Sequence, residues 1–136
     1  MPVVSELIRI EDDGTISFGN YMLAAKSKLQ DFEFQGDLYK VKTFGEITKL
    51  ERNGMFVYES VPGTVNHFQA GDTSVQFSVE GEKDAQITIQ LEDEREYEVY
   101  VDGVSVGGMK TNVSGKLVLS VELNPGKATA IRIEAR

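Results

Sequence analysis

The sequence predicts an all-β protein: an antiparallel β-sandwich with an additional β-hairpin-rich N-terminal half and little or no helix. Three observations predict it. Apolar and polar residues alternate with a period of two along most of the chain, glycine-containing turn signals separate these runs, and helical periodicity is scarce. The alternation is clearest in the second half, where each run predicts a strand with one buried and one solvated face. The apolar positions of these runs are Val75, Phe77 and Val79; Ala85, Ile87, Ile89 and Leu91; Leu117, Leu119, Val121 and Leu123; and Ile131, Ile133 and Ala135.

Turn signals divide the second half at regular intervals. Glu80-Gly81 begins a polar turn, Asp102-Gly103 has the composition of a two-residue hairpin loop, and Asn124-Pro125-Gly126 separates the last two runs. Short strands about 8–12 residues apart are typical of a sandwich or a barrel. We therefore expect residues 68–136 to form a small antiparallel β-sandwich.

The first half contains two predicted hairpins. IRIEDDGTISFG, residues 8–19, turns around Asp13-Gly14, and ITKLERNGMFVYES, residues 47–60, turns at Asn53-Gly54. In the second hairpin a two-residue loop places Leu50 opposite Val57 and Lys49 opposite Tyr58.

The predicted domain organisation is a β-rich N-terminal half, 1–67, followed by the sandwich of 68–136. The turn at Pro62-Gly63 and the polar stretch 69–73 mark the boundary, and one continuous domain is the open alternative. A short helix is predicted within NYMLAAKSKLQDF, residues 20–32, where apolar side chains could follow one helix face for two turns.

Composition restricts the function. The chain has 136 residues, a net charge of −8 and no cysteine, so disulfides, thiolate nucleophiles and thiolate metal sites are absent. No segment concentrates lysine and arginine, and we expect neither nucleic-acid nor membrane-surface binding. The N-terminal residues lack the basic and apolar regions of a signal peptide, which predicts a cytoplasmic protein. We expect no cofactor.

The stretch GGMKTNVSGK, residues 107–116, superficially resembles a phosphate-binding loop. Such a loop needs a glycine where Lys110 stands, a Ser or Thr where Leu117 stands, and a helix after it. All three requirements fail. We therefore interpret the stretch as a turn between strands, with Gly107-Gly108 allowing a bend or bulge.

Other candidate chemical groups are sparse. The single histidine, His67, has neither an orienting partner nor a nucleophile that spacing identifies, and no second histidine to share a metal. Carboxylates that could bind calcium are Glu92, Asp93, Glu94 and Asp102, although a solvated acidic rim is the favoured interpretation. We name no catalytic residue and expect no catalysis at a triad or a metal site.

The aromatic residues concentrate in the first half. Along residues 55–59, strict alternation places Met55 and Val57 on one face and Phe56 and Tyr58 on the other, so both faces are apolar. The second face needs a cover, which can be the chain itself, another subunit or a ligand. The candidate interface or ligand residues are Phe56 and Tyr58, with Lys49 lying across them.

Residues 36–64 and 97–123 resemble short uncharacterised proteins of anaerobic Gram-positive bacteria, some of which are labelled endosialidase. That label implies a large catalytic propeller with arginine contacts to sialic acid. Because 136 residues are too few for a propeller and the five arginines are scattered, the resemblance supplies no catalytic residue here. The pattern of VDG, SGK and SVEL in the second half is similar to small β-sandwich modules attached to carbohydrate-active enzymes.

Two functional hypotheses follow. The first is a non-catalytic binding or assembly module that self-associates as a homo-oligomer through the aromatic-rich first half. The alternative is a carbohydrate-binding or carbohydrate-active, endosialidase-like protein whose partner is a saccharide. Fold class alone does not decide between them.

Overall fold

The computed structural model of the chain describes residues 3–61, 63–71 and 73–136. Within these residues it contains 13 strands and no helix, so the all-β prediction is confirmed. In chain order the strands are β1 (Ile8–Ile10), β2 (Ile16–Phe18), β3 (Ser27–Phe34), β4 (Asp37–Thr43), β5 (Thr48–Arg52), β6 (Met55–Val61), β7 (Thr64–Ala70), β8 (Ser74–Glu80), β9 (Ala85–Gln90), β10 (Glu96–Val101), β11 (Val104–Lys110), β12 (Lys116–Val121) and β13 (Thr129–Ala135). No helix of the described residues is long and apolar enough to cross a membrane.

The strands form two antiparallel sheets. The seven-stranded sheet has the order β1-β2-β7-β8-β13-β10-β11, and the six-stranded sheet has the order β12-β9-β6-β5-β4-β3. Each sheet contains strands from before and after residue 67, and that position lies inside β7. Of the predicted boundary turns, Pro62 and Asp72 lie outside the described residues.

The core lies between the two sheets and follows the predicted alternation. The predicted inward residues of β8, β9, β12 and β13 are buried, apart from the partly buried Leu91 and Ala135 at run ends. Four aromatic side chains from β2, β6, β7 and β8 meet at the centre with edge-to-face or tilted rings: Phe18, Tyr58, Phe68 and Phe77. The quadrupoles of the rings make edge-to-face packing favourable, in addition to the gain from burying apolar area.

The predicted turns form the predicted hairpins. Asn53-Gly54 and Asp102-Gly103 both have positive φ at the two loop positions, as a type I′ turn requires. Asp13-Gly14 lies in the loop between β1 and β2. In β11, Val106 is an extra residue relative to β10, and Gly107 beside it has φ 110°, which confirms the predicted bulge.

The helix predicted within residues 20–32 is wrong. Residues 27–34 form β3, an edge strand that pairs with β4 along its length. A two-turn helix is marginal without tertiary contacts, whereas β3 gains backbone hydrogen bonds and places Phe32 and Phe34 against the core.

The register predicted for the hairpin of residues 47–60 is also wrong beyond its loop. Leu50 pairs with Tyr58 and Lys49 pairs with Glu59, because Val57 is an extra residue in β6. This bulge turns both Val57 and Tyr58 towards the core, while Phe56 stays on the outer face. The predicted common face of Phe56 and Tyr58 therefore does not exist.

Candidate functional site

A third bulge, in β7, determines the position of the only histidine. Asn66 pairs with Ser78 and Gln69 pairs with Gln76, so two residues of β7 face a single residue of β8. His67 is the extra residue and has φ 56°, a left-handed conformation that is uncommon for residues other than glycine. Its backbone N–H, which a bulge removes from the ladder, donates to the hydroxyl of Ser17 at 3.0 Å. Backbone strain and bulges concentrate at functional sites.

The imidazole of His67 is oriented by the loop between β1 and β2. Its Nδ1 lies 3.0 Å from Asp13 Oδ2 and 3.2 Å from Thr15 Oγ1. The hydroxyl and backbone N–H of Thr15 both donate to Asp13 Oδ1, and together with His67 they hold the pKa of Asp13 below its usual range. Because an ionised carboxylate only accepts, Nδ1 donates to Asp13, and Nε2 is the ring nitrogen that this pair does not use.

The support of the bulge continues beneath the histidine. Ser17 is fully buried, and its hydroxyl donates to Glu11, which also accepts from Arg9 Nε at 3.1 Å. The hydrogen bonds from Ser17 and Arg9 lower the pKa of Glu11. Glu11 is therefore ionised at neutral pH, so the hydroxyl proton of Ser17 points to Glu11 and its lone pair to His67 N–H. A chain of three side chains, Ser17, Glu11 and Arg9, thus fixes the histidine backbone.

His67 borders a groove of about 350 Å³ on the outer face of the seven-stranded sheet. The groove is called the outer groove below. Polar side chains of β7, β8, β10, β13 and the β1–β2 loop line it: Asp13, Thr15, His67, Gln69, Gln76, Ser78, Tyr100 and Arg132. Clefts that combine a few oriented polar groups with aromatic surface are the usual sites of small-ligand binding.

The groove contains two pairs of side chains, and within each pair one side chain restrains the other. Gln76 Nε2 donates to Gln69 Oε1 at 3.0 Å across β7 and β8. This bond leaves the Gln69 amide N–H groups and the Gln76 carbonyl available to a ligand. Further along, the guanidinium of Arg132 lies 4.3 Å from the ring centroid of Tyr100 and pairs with Glu134 at 3.5 Å. A guanidinium held flat on an aromatic ring presents its N–H donors at its edge.

The predicted interface residues do not come together. Tyr58 is 0% exposed and contacts Phe18, Phe68 and Phe77, so it belongs to the core and burial raises its pKa. Phe56 lies on the outer face of the six-stranded sheet, where Lys116, not Lys49, covers its ring at 5.3 Å. Lys49 instead pairs with Glu51 at 3.4 Å.

The calcium candidates are separated as well. Glu92, Asp93 and Glu94 lie in the loop before β10, and Asp102 lies after it, so a strand of about 20 Å separates them. Glu92 pairs with Arg95. Asp102 accepts from Ala130 N at 2.9 Å. Among the described residues, no three His, Cys, Asp or Glu side chains form a group that could hold a metal ion.

The glycine-rich stretch 107–116 forms the end of β11, a turn and the first residue of β12, as predicted. Asn112 Oδ1 accepts hydrogen bonds from Ser114 N and Lys116 N, which closes the turn. At Gly115, φ is 82° and a Cβ would lie 2.5 Å from the carbonyl oxygen of Leu91. Glycine is needed there for packing and backbone conformation.

The pairing of His67 with Asp13 is the feature of the candidate site that sequence reasoning missed. The two residues are 54 positions apart, and only the placement of β2 beside β7 brings them together. One local signal exists: Val65 and Phe68 are both buried although alternation assigns them to opposite faces. A break in the alternation next to a histidine is compatible with a bulge.

No protein-family model matches this chain, and comparisons with curated proteins and with solved structures give no significant match. The resemblance of residues 36–64 and 97–123 to endosialidase-labelled proteins therefore stays a prediction. The functional argument rests on the geometry of the outer groove.

Proposed function

We propose that the protein is a non-catalytic binding module that holds a saccharide in the outer groove. The observation that carries the proposal is the imidazole of His67, which Asp13 orients and which lines the same groove as the amides of Gln69 and Gln76. A sugar hydroxyl both donates and accepts one hydrogen bond. A groove with alternating fixed donors and acceptors matches a row of such hydroxyls.

The Arg132–Tyr100 pair completes this match. The guanidinium supplies donors at the far side of the groove, and its stacking on the tyrosine ring limits its freedom before binding. Side chains that are already held lose less conformational entropy when a ligand arrives. Both ends of the groove are thus preorganised, by Asp13 at His67 and by Tyr100 at Arg132.

The arrangement of carboxylates at the outer groove favours binding without catalysis. Most glycoside hydrolases use a pair of carboxyl groups about 5–10 Å apart across the sugar. Among the described residues that line the groove, Asp13 is the one carboxylate, and its oxygens already accept from Thr15 and His67. The arrangement suits a residue that orients a histidine.

The test is a screen of neutral and acidic glycans, followed by calorimetry with the best binder. We expect His67→Asn and Gln76→Ala to weaken binding at least about tenfold, since each removes a hydrogen bond to the ligand. Asparagine tolerates the left-handed backbone, so His67→Asn keeps the bulge. The matched control is Thr88→Ala on the outer face of the other sheet, which should bind like the wild type. If no glycan binds, or if the groove variants bind like Thr88→Ala, the proposal is wrong.

Self-association is the second candidate, and exposed valines on an edge strand favour it. Val104 and Val106 lie on β11, the last strand of the seven-stranded sheet, and their side chains are exposed. An unpaired edge with β-branched residues can pair with another copy. Light scattering of the wild type, Val104→Lys and Phe56→Ser distinguishes the contacts. A lower particle mass in Val104→Lys would assign the subunit contact to the β11 edge, and a lower mass in Phe56→Ser would assign it to the outer face of the six-stranded sheet. A monomeric wild type would remove this candidate.

A further inference from the structure

Lysines stand side by side on the outer face of the six-stranded sheet, opposite the side that carries the outer groove. Lys28 of β3 pairs in register with Lys42 of β4, and Lys42 pairs with Lys49 of β5. These three residues are the lysine row. Adjacent strands are about 4.8 Å apart, so the row extends about 10 Å across the sheet. Lys40 lies beside it, two positions along β4.

The row is electrostatically unfavourable for the isolated protein. Like charges directly opposite each other on a sheet destabilise it. Of the lysine row, only Lys49 forms an ion pair with a described residue, Glu51. The chain has 22 acidic residues for 14 basic ones, so carboxylates to separate these lysines are plentiful in its composition. Two glutamates, Glu51 and Glu59, stand in register beside four lysines, so this face keeps an excess of positive charge on a protein of net charge −8, which favours an anionic partner.

We propose that the lysine row binds an acidic polysaccharide, one that carries a carboxylate or sulfate on its repeating units. At the row itself the surface has charge but little depth, since the depression lined by Lys40, Lys42, Lys49 and Glu51 holds only about 10 Å³. An extended polyanion needs no cavity, because its charged groups can contact the ammonium groups one after another.

Other anionic partners fit less well. Single-stranded nucleic acid needs aromatic rings for its bases, and the ring of Phe56 on this face is already covered by Lys116. Duplex DNA engages about 6–10 phosphates, more than this row can neutralise. An acidic peptide needs apolar anchors in pockets, whereas the adjoining groove of about 310 Å³ at Lys40 and Glu51 is lined mainly by polar side chains.

The experiment measures binding of an oligogalacturonate, with its methyl ester of equal length as the uncharged counterpart. We expect the acid to bind and the ester not to bind, and we expect the affinity to fall as salt is raised. The variant Lys28→Gln/Lys42→Gln/Lys49→Gln should lose at least about tenfold in affinity. Glutamine keeps a long side chain and removes like-charge repulsion, so the variant should remain folded.

The matched control is Lys83→Gln/Lys110→Gln/Lys127→Gln, which changes the net charge equally at positions outside the row. It should bind like the wild type. Equal binding of acid and ester, or equal losses in the two triple variants, overturns the proposal. Binding of polyglutamate or of a single-stranded oligonucleotide as tight as that of the oligogalacturonate also overturns it. The outer groove lies on the other sheet, so failure of either proposal leaves the other testable.

Discussion

The bulges of β6 and β7 use the same backbone device for different purposes. Each inserts one residue, Val57 or His67, and each is followed by an aromatic residue that enters the core. Those two aromatics, Tyr58 and Phe68, contact each other with ring centroids 6.0 Å apart. In β6 the extra residue is apolar and packs against the core, whereas in β7 it is a histidine that polar side chains hold at the rim of a groove.

The difference between the two bulges shows how a bulge that serves packing can be told from one that serves a binding site. A bulge that serves packing is stabilised by the apolar surface that it buries. The β7 bulge adopts a positive φ at a residue that is not glycine, and buried polar groups compensate for it. Local strain that a dedicated network maintains is expected where the strained residue has a chemical task. This contrast supports assigning function to His67 and not to Val57.

The largest expected effect tests the shared role of the two bulges in the core. Tyr58→Ala should lower the free energy of unfolding by about 3–5 kcal/mol, because a fully buried ring is removed from the aromatic cluster. Urea denaturation measures the loss.

Tyr58→Phe is the control, because the Tyr58 hydroxyl has no hydrogen-bond partner among the described residues. Removing a buried, unpaired hydroxyl should leave stability unchanged or raise it by about 1 kcal/mol. A large loss in Tyr58→Phe would show that the hydroxyl is paired and would contradict this account of the core.

The next effect separates the two bulges directly. Val57→Gly should lower the free energy of unfolding by about 2 kcal/mol, since it removes a packed side chain and adds backbone freedom to the unfolded chain. His67→Gly should change the free energy of unfolding by less than about 1 kcal/mol, because glycine relieves the positive φ while the exposed hydrogen bonds are lost. Chemical denaturation of both variants measures the contrast. Equal costs at the two positions would mean that both bulges are structural.

Much of this fold follows from sequence, and the failures at the β6 bulge and at the groove have identifiable causes. The inward faces of β8, β9, β12 and β13 and the loops at Asn53-Gly54 and Asp102-Gly103 depend on local signals, which alternation and turn chemistry provide. A bulge shifts the alternation without a distinctive residue, so the placement of Tyr58 was wrong. The groove depends on β7 lying between β2 and β8, a long-range pairing that no local pattern encodes.

A smaller effect tests the support beneath His67. Ser17→Ala should destabilise the protein by about 1–3 kcal/mol, because the His67 N–H loses its acceptor in a part-buried position. Saccharide binding in the outer groove should weaken with it, whereas oligogalacturonate binding to the lysine row should not change. Calorimetry with both ligands provides the comparison. If both affinities fell together, the loss would reflect general destabilisation and not the position of the histidine.

The smallest effect concerns the dependence of stability on acid pH at the β7 bulge. The pKa values of Glu11 and Asp13 are lowered in the folded protein, so the folded state holds fewer protons on them than the unfolded state does. Their contribution is fully present above the ordinary carboxyl pKa of about 4 and is lost as pH falls through the lowered values. Urea midpoints measured from neutral to acid pH should therefore fall less steeply in Glu11→Gln and Asp13→Asn than in the wild type.

Asp12→Asn is the control, because Asp12 accepts no side-chain hydrogen bond from a described residue and should follow the wild-type curve. Identical curves for all variants would show that the network at His67 adds nothing to stability, which would leave the strain at that residue without its compensation.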